Sequence, residues 1–132
     1  MMQVMKGLAA IATAATLGAA PAMAADYVND EASLEALTTM GEPLYQQYCA
    51  VCHGANGEGG GGPAIAGTAF MAGRSAVIFQ ILFGAMDHGM PPFGPILDDE
   101  QIAAIATYTR NSWGNEHGIV LPRSVELRRT TE

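Results

Sequence analysis

Two cysteines and a histidine stand in the order Cys49-Ala50-Val51-Cys52-His53, and the chain contains no other cysteine. Thiols and imidazoles bind metals, exchange disulfides or form covalent bonds to a prosthetic group. The order Cys-x-x-Cys-His is the attachment motif for covalent haem. Its spacing lets both sulfurs reach the vinyl-derived carbons on one edge of a porphyrin, and His53 then lies beneath the iron as the proximal ligand. We therefore predict one haem c, bound by Cys49 and Cys52.

A redox dithiol and a structural zinc site are weaker interpretations of the same motif. A thioredoxin-like redox pair needs a strand before it and a helix after it, whereas a helical segment, 42–48, precedes this motif and a glycine-rich loop follows it. A structural zinc site needs further ligands, and the remaining histidines, His88 and His117, are distant and unpaired. A chance match is the remaining interpretation. It is disfavoured because the match uses both cysteines of the chain and because an export signal precedes it.

Met90 is the predicted second axial ligand. It lies in Gly89-Met90-Pro91-Pro92-Phe93-Gly94, where two prolines stiffen the backbone and remove two donors. Such a segment holds a thioether at the iron with little conformational entropy to lose. Met86 and His88 stay as alternatives, because a small error in local register would exchange them. Two further methionines are expected to fill the core, as methionine commonly does: Met40 and Met71.

The N-terminus has the pattern of a secretory signal. Lys6 is followed by residues 7–25, which carry no charge, and their middle part is apolar. Pro21-Ala22-Met23-Ala24 fits cleavage before Ala25. The alternative is a retained membrane anchor, but the run is mostly alanine with few large aliphatic residues. Without a cysteine near the cleavage site, the chain is not a lipoprotein. We predict export to the periplasm, with no stable membrane span after cleavage.

Composition limits the remaining classes. With 132 residues the chain has room for one domain and a targeting segment. A net charge of −7 excludes nucleic acid as a partner, because phosphate binding needs an excess of Lys and Arg. Lys6 is the chain's single lysine, so cleavage would make the protein more acidic still. This charge favours a redox partner with a complementary basic face.

The segments around the motif predict an all-α fold. Asp98 and Gln101 form a capping box at the start of a helix whose apolar stripe includes Ile102 and Ile105. The segment 75–83 is apolar almost all round, so we expect it to be wholly buried, and Gly84 ends it. No alternation is long enough to predict a sheet.

Two patterns that suggest a different activity do not hold in context. Gly57-Glu58-Gly59-Gly60-Gly61-Gly62 satisfies G-x-G-x-x-G, but no strand precedes it and no helix opens from it. We interpret it as a flexible loop near the haem edge. The carboxylates of 98–100 are a helix start rather than an acid/base pair, so we expect no catalytic residues and no enzyme activity.

With these residues the sequence resembles a class I cytochrome c of the small bacterial type, over residues 41–115. The resemblance implies three to five helices wrapped around one covalently bound haem. It implies that Gly41 and Tyr45 pack against the C-terminal helix, and that the carbonyl of Pro63 accepts a hydrogen bond from the proximal histidine. The ending 109–115 is similar to haem subunits of periplasmic dehydrogenases and oxidases.

The expected organisation is a signal peptide (1–24), an N-terminal extension (25–40), a cytochrome c domain (41–115) and a C-terminal tail (116–132). The tail, which carries Arg123, Arg128 and Arg129, either covers the domain, docks on a partner or is solvated. The expected function is single-electron transfer between redox proteins, with a dehydrogenase as donor and an oxidase or another cytochrome as acceptor. Two alternatives remain: a subunit of a larger dehydrogenase or oxidase complex, and a haem protein that reacts with gas or peroxide.

Overall fold

The computed structural model describes residues 25–130, so the predicted signal peptide, residues 1–24, lies outside the described part. Single turns of 3₁₀-helix occur at Ala69–Ala72 and Met86–His88, and the β-pairing in this part is one isolated bridge between Ala85 and Met90. The predicted all-α fold is confirmed. Five α-helices follow one another: α1 (Glu31–Tyr48), α2 (Ala50–His53), α3 (Arg74–Phe83), α4 (Asp99–Arg110) and α5 (Pro122–Arg129). Across residues 25–130, none of the helices has the length and apolarity that a bilayer span requires.

Helix α1 is longer than the segment recognised before the cysteine motif. Asp30 caps its N-terminus by accepting a hydrogen bond from the backbone N–H of Ser33 at 2.8 Å. The helix then continues without a break across the boundary predicted between residues 40 and 41. Leu37 is fully buried with Ala104 and Ile119. Most of the predicted extension is therefore the first half of α1, because its apolar residues face α4.

Helices α1 and α4 cross in close contact at Gly41. A Cβ at this position would lie 2.1 Å from the carbonyl oxygen of Ala104 and 2.7 Å from Cβ of Tyr108, so only glycine fits. One turn later Tyr45 is buried, with its ring centroid 5.5 Å from that of Tyr108. The predicted packing of Gly41 and Tyr45 against the last helix of the domain core is confirmed.

Helix α3 ends at Gly84, which has a φ of 68°, as the sequence indicates. The expectation that the whole segment is buried is wrong for Phe79, which is 50% exposed. Phe79 lies on the outer face, with its ring 4.5 Å from that of Phe83. A helix on the edge of a small domain has one face on the core and one in water. The buried face holds Val77, Ile78, Ile81 and Leu82.

Helix α4 is the central helix of the fold. The capping box predicted from Asp98 and Gln101 is present: Asp98 accepts from the Gln101 N–H at 2.8 Å, and the Gln101 side chain accepts from the Asp98 N–H at 3.0 Å. Residues 102–110 are all buried, because α1, α3 and α5 pack around them.

The described part of the tail, up to residue 130, packs on the domain. The backbone N–H of Val120 donates to the hydroxyl of Thr107 on α4 at 3.0 Å, and Val120 is fully buried. Pro122 then starts α5, and Val125 inserts into the main core cluster. Of the three arrangements expected for the tail, the structure shows the one in which it covers the domain.

We expect Gly41→Ala to lower the free energy of unfolding of the haem-loaded protein by about 3 kcal/mol, the upper end for overpacking a core. Inside a helix, alanine is otherwise more stabilising than glycine by about 1 kcal/mol. A lower free energy of unfolding in Gly41→Ala would therefore come from the overlap of the new side chain with α4. Urea unfolding followed by far-UV circular dichroism measures the change. Gly60→Ala is the control, because its Cβ would meet its nearest atom at an ordinary 3.4 Å. Equal midpoints for the two variants would contradict the close crossing.

Candidate haem site

The residues selected from the sequence lie around one cleft. Cys49, Cys52, His53, Pro63 and Met90 all line a cleft of about 540 Å³. This volume is in the range of sites that enclose a cofactor. The rest of the lining is mainly apolar and comes from every part of the domain, with these members: Tyr48, Ile65, Phe70, Met71, Val77, Ile81, Phe93 and Ile105.

The end of α1 presents the cysteine motif to the cleft. Cys49 caps α1 and donates its backbone N–H to the Tyr45 carbonyl at 2.8 Å. A further helical turn, α2, carries Cys52 and His53, and the His53 N–H donates to the Cys49 carbonyl at 2.9 Å. Gly54, with a φ of 84°, ends this turn, a conformation that favours glycine. The two thiols and the imidazole are thus held by one short, hydrogen-bonded turn.

The imidazole of His53 is oriented by the following loop. Its Nδ1 lies 2.8 Å from the carbonyl oxygen of Pro63. A carbonyl only accepts, so Nδ1 carries the proton and Nε2 keeps the lone pair that a metal would use. Gly62 makes this approach possible, because a Cβ there would lie 3.2 Å from the His53 ring.

Backbone hydrogen bonds fold the glycine-rich loop back onto the motif. The Gly62 N–H donates to the Cys52 carbonyl at 2.8 Å, and the Gly59 N–H donates to the His53 carbonyl at 2.7 Å. Gly57 accepts from the N–H groups of Ile65 and Ala66. The loop predicted to be flexible therefore has a defined path, and the G-x-G-x-x-G match within it is not followed by a helix.

Burial disfavours ionisation of the Cys49 thiol before a haem is attached. Burial, with a smaller effect of the neighbouring Cys52, raises the pKa of Cys49 to about 12. Both cysteines are half-buried and are not joined to each other.

Met90 is held at the cleft by its backbone. The Ala85 N–H donates to the Met90 carbonyl at 2.8 Å, and the Met90 N–H donates to the Ala85 carbonyl at 3.1 Å. Its Sδ lies 3.5 Å from Nε2 of Gln80 on α3, a side chain not selected from the sequence. Of the alternative ligands, His88 also lines the cleft, whereas Met86 is 69% exposed and does not. Met71 packs in the main core cluster, as expected for a methionine that fills the core. Met40 is half-buried and packs against the cluster of Leu37, Ala104 and Ile119.

Asn115 fastens the loop that carries Pro63. Its side chain is 2% exposed and joins three backbone groups. Its Oδ1 accepts from the Gly67 N–H at 2.9 Å, while its Nδ2 donates to Ile65 at 3.2 Å and to Thr109 at 2.8 Å. The sequence alone does not identify this role, because a single polar residue after a helix has many possible partners.

Trp113 covers the same loop from outside. Its ring lies 4.9 Å from that of Tyr45 and 5.3 Å from that of Tyr108. A Cβ on Gly57 would come within 2.5 Å of the indole, so the loop backbone lies directly against it. Trp113 has a φ of 55°, which only its packing makes acceptable for this residue type.

Arg110 closes the end of α4 behind the cleft. It is buried, its Nε donates to the Met71 carbonyl at 2.9 Å, and its Nη2 donates to the His117 carbonyl. Burial lowers the pKa of Arg110, with a smaller effect of Arg74. Its Nη1 is shielded from solvent and has no hydrogen-bond partner. The backbone of His117 is therefore part of this contact.

A structural zinc site does not fit these side chains. Such a site needs a cluster of about four Cys, His or carboxylate ligands. Among residues 25–130, no three His, Cys, Asp or Glu side chains come together in that way. The donors that line the cleft are instead two thiols, the imidazoles of His53 and His88, and the thioethers of Met71 and Met90. Thiols, imidazole and thioether are the donor types that serve a covalently attached haem.

Comparison with known proteins identifies the family of this chain. The family model for "Cytochrome C oxidase, cbb3-type, subunit III" matches residues 36–108, more than half of the chain. The chain belongs to this cytochrome c family. The cytochrome c domain binds one covalent haem c, and the apolar cleft with its two thiols fits that group.

Relatives of this cytochrome c domain occur in larger electron-transfer proteins. The chain is 37% identical over 94 residues to the cytochrome bc1 complex cytochrome c subunit of Mycobacterium bovis. The aligned region covers 66% of this chain and 32% of that protein. It is 36% identical over 105 residues to the fructose dehydrogenase cytochrome subunit of Gluconobacter japonicus. Here the aligned region covers 67% of this chain and 22% of that protein. The chain thus spans a third or less of the length of these curated relatives.

A solved structure shows the same fold. Cytochrome CL from the marine bacterium Methylophaga aminisulfidivorans superposes with a TM-score of 0.52 at 26% sequence identity. The match covers 58% of this chain and 53% of that one. The arrangement of helices around a cleft is therefore that of a cytochrome c.

We expect Asn115→Ala to lower the free energy of unfolding by about 2 kcal/mol, because it removes three hydrogen bonds and leaves the buried carbonyl of Thr109 without this partner. The measurement is urea unfolding of the haem-loaded protein. Asn56→Ala, at an exposed position of the preceding loop, is the control and should have little effect. If the two variants unfold at the same urea concentration, Asn115 does not fasten the loop.

Proposed function

We propose that this protein carries single electrons between redox proteins outside the cytoplasm, with a haem c attached to Cys49 and Cys52 and ligated by His53 and Met90. The observation that carries the proposal is that these side chains line one apolar cleft. A haem with histidine and methionine ligands supplies a one-electron iron couple, and the thioether raises its reduction potential. Pro63 is proposed to fix the tautomer and orientation of His53.

The lining residues keep the cleft apolar while its rim stays accessible. Phe93, Ile81 and Ile105 are buried along the wall and exclude water from it. Val51, between the two cysteines, lines the cleft but is 84% exposed. A partner protein that docks on this edge of the cleft would therefore contact Val51, which lies between the two cysteines in the sequence. The net charge of −7 favours a partner with a basic face and an encounter rate that falls as salt is added.

We take the role of the chain itself to be non-catalytic. In this proposal protein side chains occupy both axial positions, which leaves no coordination site for a substrate. The carboxylates of residues 98–100 are used by the start of α4, where Asp98 caps the helix and Asp99 contacts Arg129. A haem protein that reacts with gas or peroxide is the alternative, and it requires that Met90 leave the iron readily.

A second candidate is a subunit of a larger dehydrogenase or oxidase complex. It is favoured by the names of the two relatives, one a cytochrome c subunit of a cytochrome bc1 complex and the other a cytochrome subunit of a fructose dehydrogenase. Native chromatography of an extract separates the cases: a free carrier elutes near its own mass, whereas a subunit elutes with a larger catalytic protein. Co-purification with that protein would contradict a free carrier.

Export is tested by the N-terminus of the haem-bearing protein. We expect the purified periplasmic protein to begin at Ala25, because small residues at Ala22 and Ala24 suit signal peptidase. Intact-mass spectrometry measures both this cut and the added mass of one haem. A haem-bearing protein that retains residues 1–24 and stays with the membrane fraction would favour the anchor.

For the ligand, we expect the oxidised protein to show the weak sulfur-to-iron charge-transfer band at the near-infrared edge of the visible spectrum. Met90→Ala should abolish this band and lower the reduction potential, because the thioether is lost. Met86→Ala is the matched control, since Met86 is a nearby methionine outside the cleft, and it should keep the band.

The same variants test the alternative function. Reduced wild-type protein should bind carbon monoxide slowly and Met90→Ala rapidly. Rapid binding by the wild type would favour the gas-reactive protein. A band that survives in Met90→Ala would show that the sulfur ligand is another methionine.

A further inference from the structure

The segment between Met90 and α4 has fewer backbone donors than backbone acceptors. Residues 91–97 include three prolines, Pro91, Pro92 and Pro95, so their carbonyls outnumber their N–H groups. Bonds within the segment are confined to one turn, in which the N–H groups of Ile96 and Leu97 donate to the Phe93 carbonyl at 3.1 and 2.9 Å. Carbonyls that are not in water must be satisfied by donors from elsewhere in the fold.

One side of this segment is fastened to α3. The Phe93 N–H donates to the Ile81 carbonyl at 3.0 Å, and the Gly94 N–H donates to the Leu82 carbonyl at 3.0 Å. These bonds use two of the few donors that the segment has. A Cβ on Gly94 would lie 2.9 Å from the Leu82 carbonyl oxygen and 3.3 Å from Nη1 of Arg129, so the chain passes tightly between α3 and α5.

The opposite side is fastened by a single guanidinium group. Arg129, at the end of α5, donates from Nη1 to the Gly94 carbonyl and from Nη2 to the Leu97 carbonyl at 3.0 Å. Its Nε donates to Oδ1 of Asp99, the first residue of α4, at 2.8 Å. Arginine suits this place because its fork presents several donors in fixed directions. Helix α5 is itself held by Val125 in the core, so the fork is attached to a rigid element.

We infer that Arg129 is a positioning residue that holds the Met90 segment closed over the cleft, and so sets how often the sulfur leaves the iron. The inference rests on the proposed ligation by Met90. Between the Ala85 bridge on one side of Met90 and the Arg129 contacts on the other, the segment has few ways to move as a whole. Without the guanidinium, the carbonyls of Gly94 and Leu97 would have to find water, which favours an open segment.

The ion pair with Asp99 is not the main part of this effect. Both side chains are about one-third exposed, and pairs of this kind contribute little to stability in water. The bonds from a charged donor to two backbone carbonyls are stronger than neutral ones. Arg129 therefore acts mainly by fixing the path of residues 91–97, and its ion pair with Asp99 contributes little.

The test measures how fast an added ligand replaces the methionine. Oxidised, haem-loaded protein is mixed with cyanide or imidazole at saturating concentration, where the observed rate equals the rate at which the segment opens. We expect Arg129→Ala to raise this rate by about tenfold or more, the effect of losing one or two charge-assisted hydrogen bonds. Arg123→Ala is the matched control: the same charge is removed from an exposed position of the same helix, and the rate should stay within about twofold.

Two further measurements separate a local from a general effect. Urea unfolding reports the stability of the whole domain, and Leu37→Ala serves as a destabilised reference, because Leu37 is fully buried and does not line the cleft. Leu37→Ala should unfold more easily without a matching rise in the ligand-replacement rate. Arg129→Lys restores a cation with a single donor group and should recover part of the slow opening, and it serves as the test if Arg129→Ala does not fold.

The outcomes distinguish the inference from the proposed ligation. If wild-type protein lacks the sulfur-to-iron band, ligation by Met90 fails whatever Arg129 does. If the band is present but Arg129→Ala binds cyanide no faster than Arg123→Ala, the ligation stands and the role of Arg129 is wrong. If Leu37→Ala accelerates ligand replacement as much as Arg129→Ala, the effect of Arg129 is general stability, and the inference is overturned.

Discussion

The close crossing of α1 and α4 at Gly41 is the constraint on which the site depends. At this point the backbone of one helix touches the backbone of the other, and the absence of a side chain sets their distance. Because α1 ends at Tyr48, the position of the following cysteine turn relative to α4 is set by the same contact. Tyr45 extends the effect, since its hydroxyl donates to the Gly54 carbonyl at 2.6 Å, just beyond His53. A helix crossing far from any ligand atom thus determines where the ligands lie.

Two loops complete the cleft, and both are held by side chains from elsewhere in addition to their own backbone hydrogen bonds. One is rich in glycine and carries Pro63, and the other is rich in proline and follows Met90. Both are fastened by side chains from the part of the chain after α4: Asn115 and Trp113 on the first loop, and Arg129 on the second. These residues lie beyond residue 108, where the family match ends. The segment after α4 therefore contributes to the structure of the cleft in this cytochrome c domain.

Local patterns in the sequence were sufficient for the features that depend on near neighbours. The cysteine motif, the capping box of Asp98 and the end of α3 at Gly84 each follow from a few adjacent residues. The roles of Asn115 and Arg129 depend on partners about 30 to 50 residues away, so no local pattern could identify them. The exposure of Phe79 was missed for a related reason. An apolar side chain shows that burial is favourable, but whether its face has a neighbour is decided by the tertiary packing.

Trp113 has a consequence beyond the packing of the loop. It is the chain's single tryptophan, and its indole lies against Gly57, in the loop that begins after the cysteine turn. Its left-handed backbone conformation persists only while Tyr45 and Tyr108 hold the ring. The protein therefore contains one indole fluorophore, placed on the loop that orients His53. A change in its emission would report the movement of that loop, without a label and without interference from a second indole.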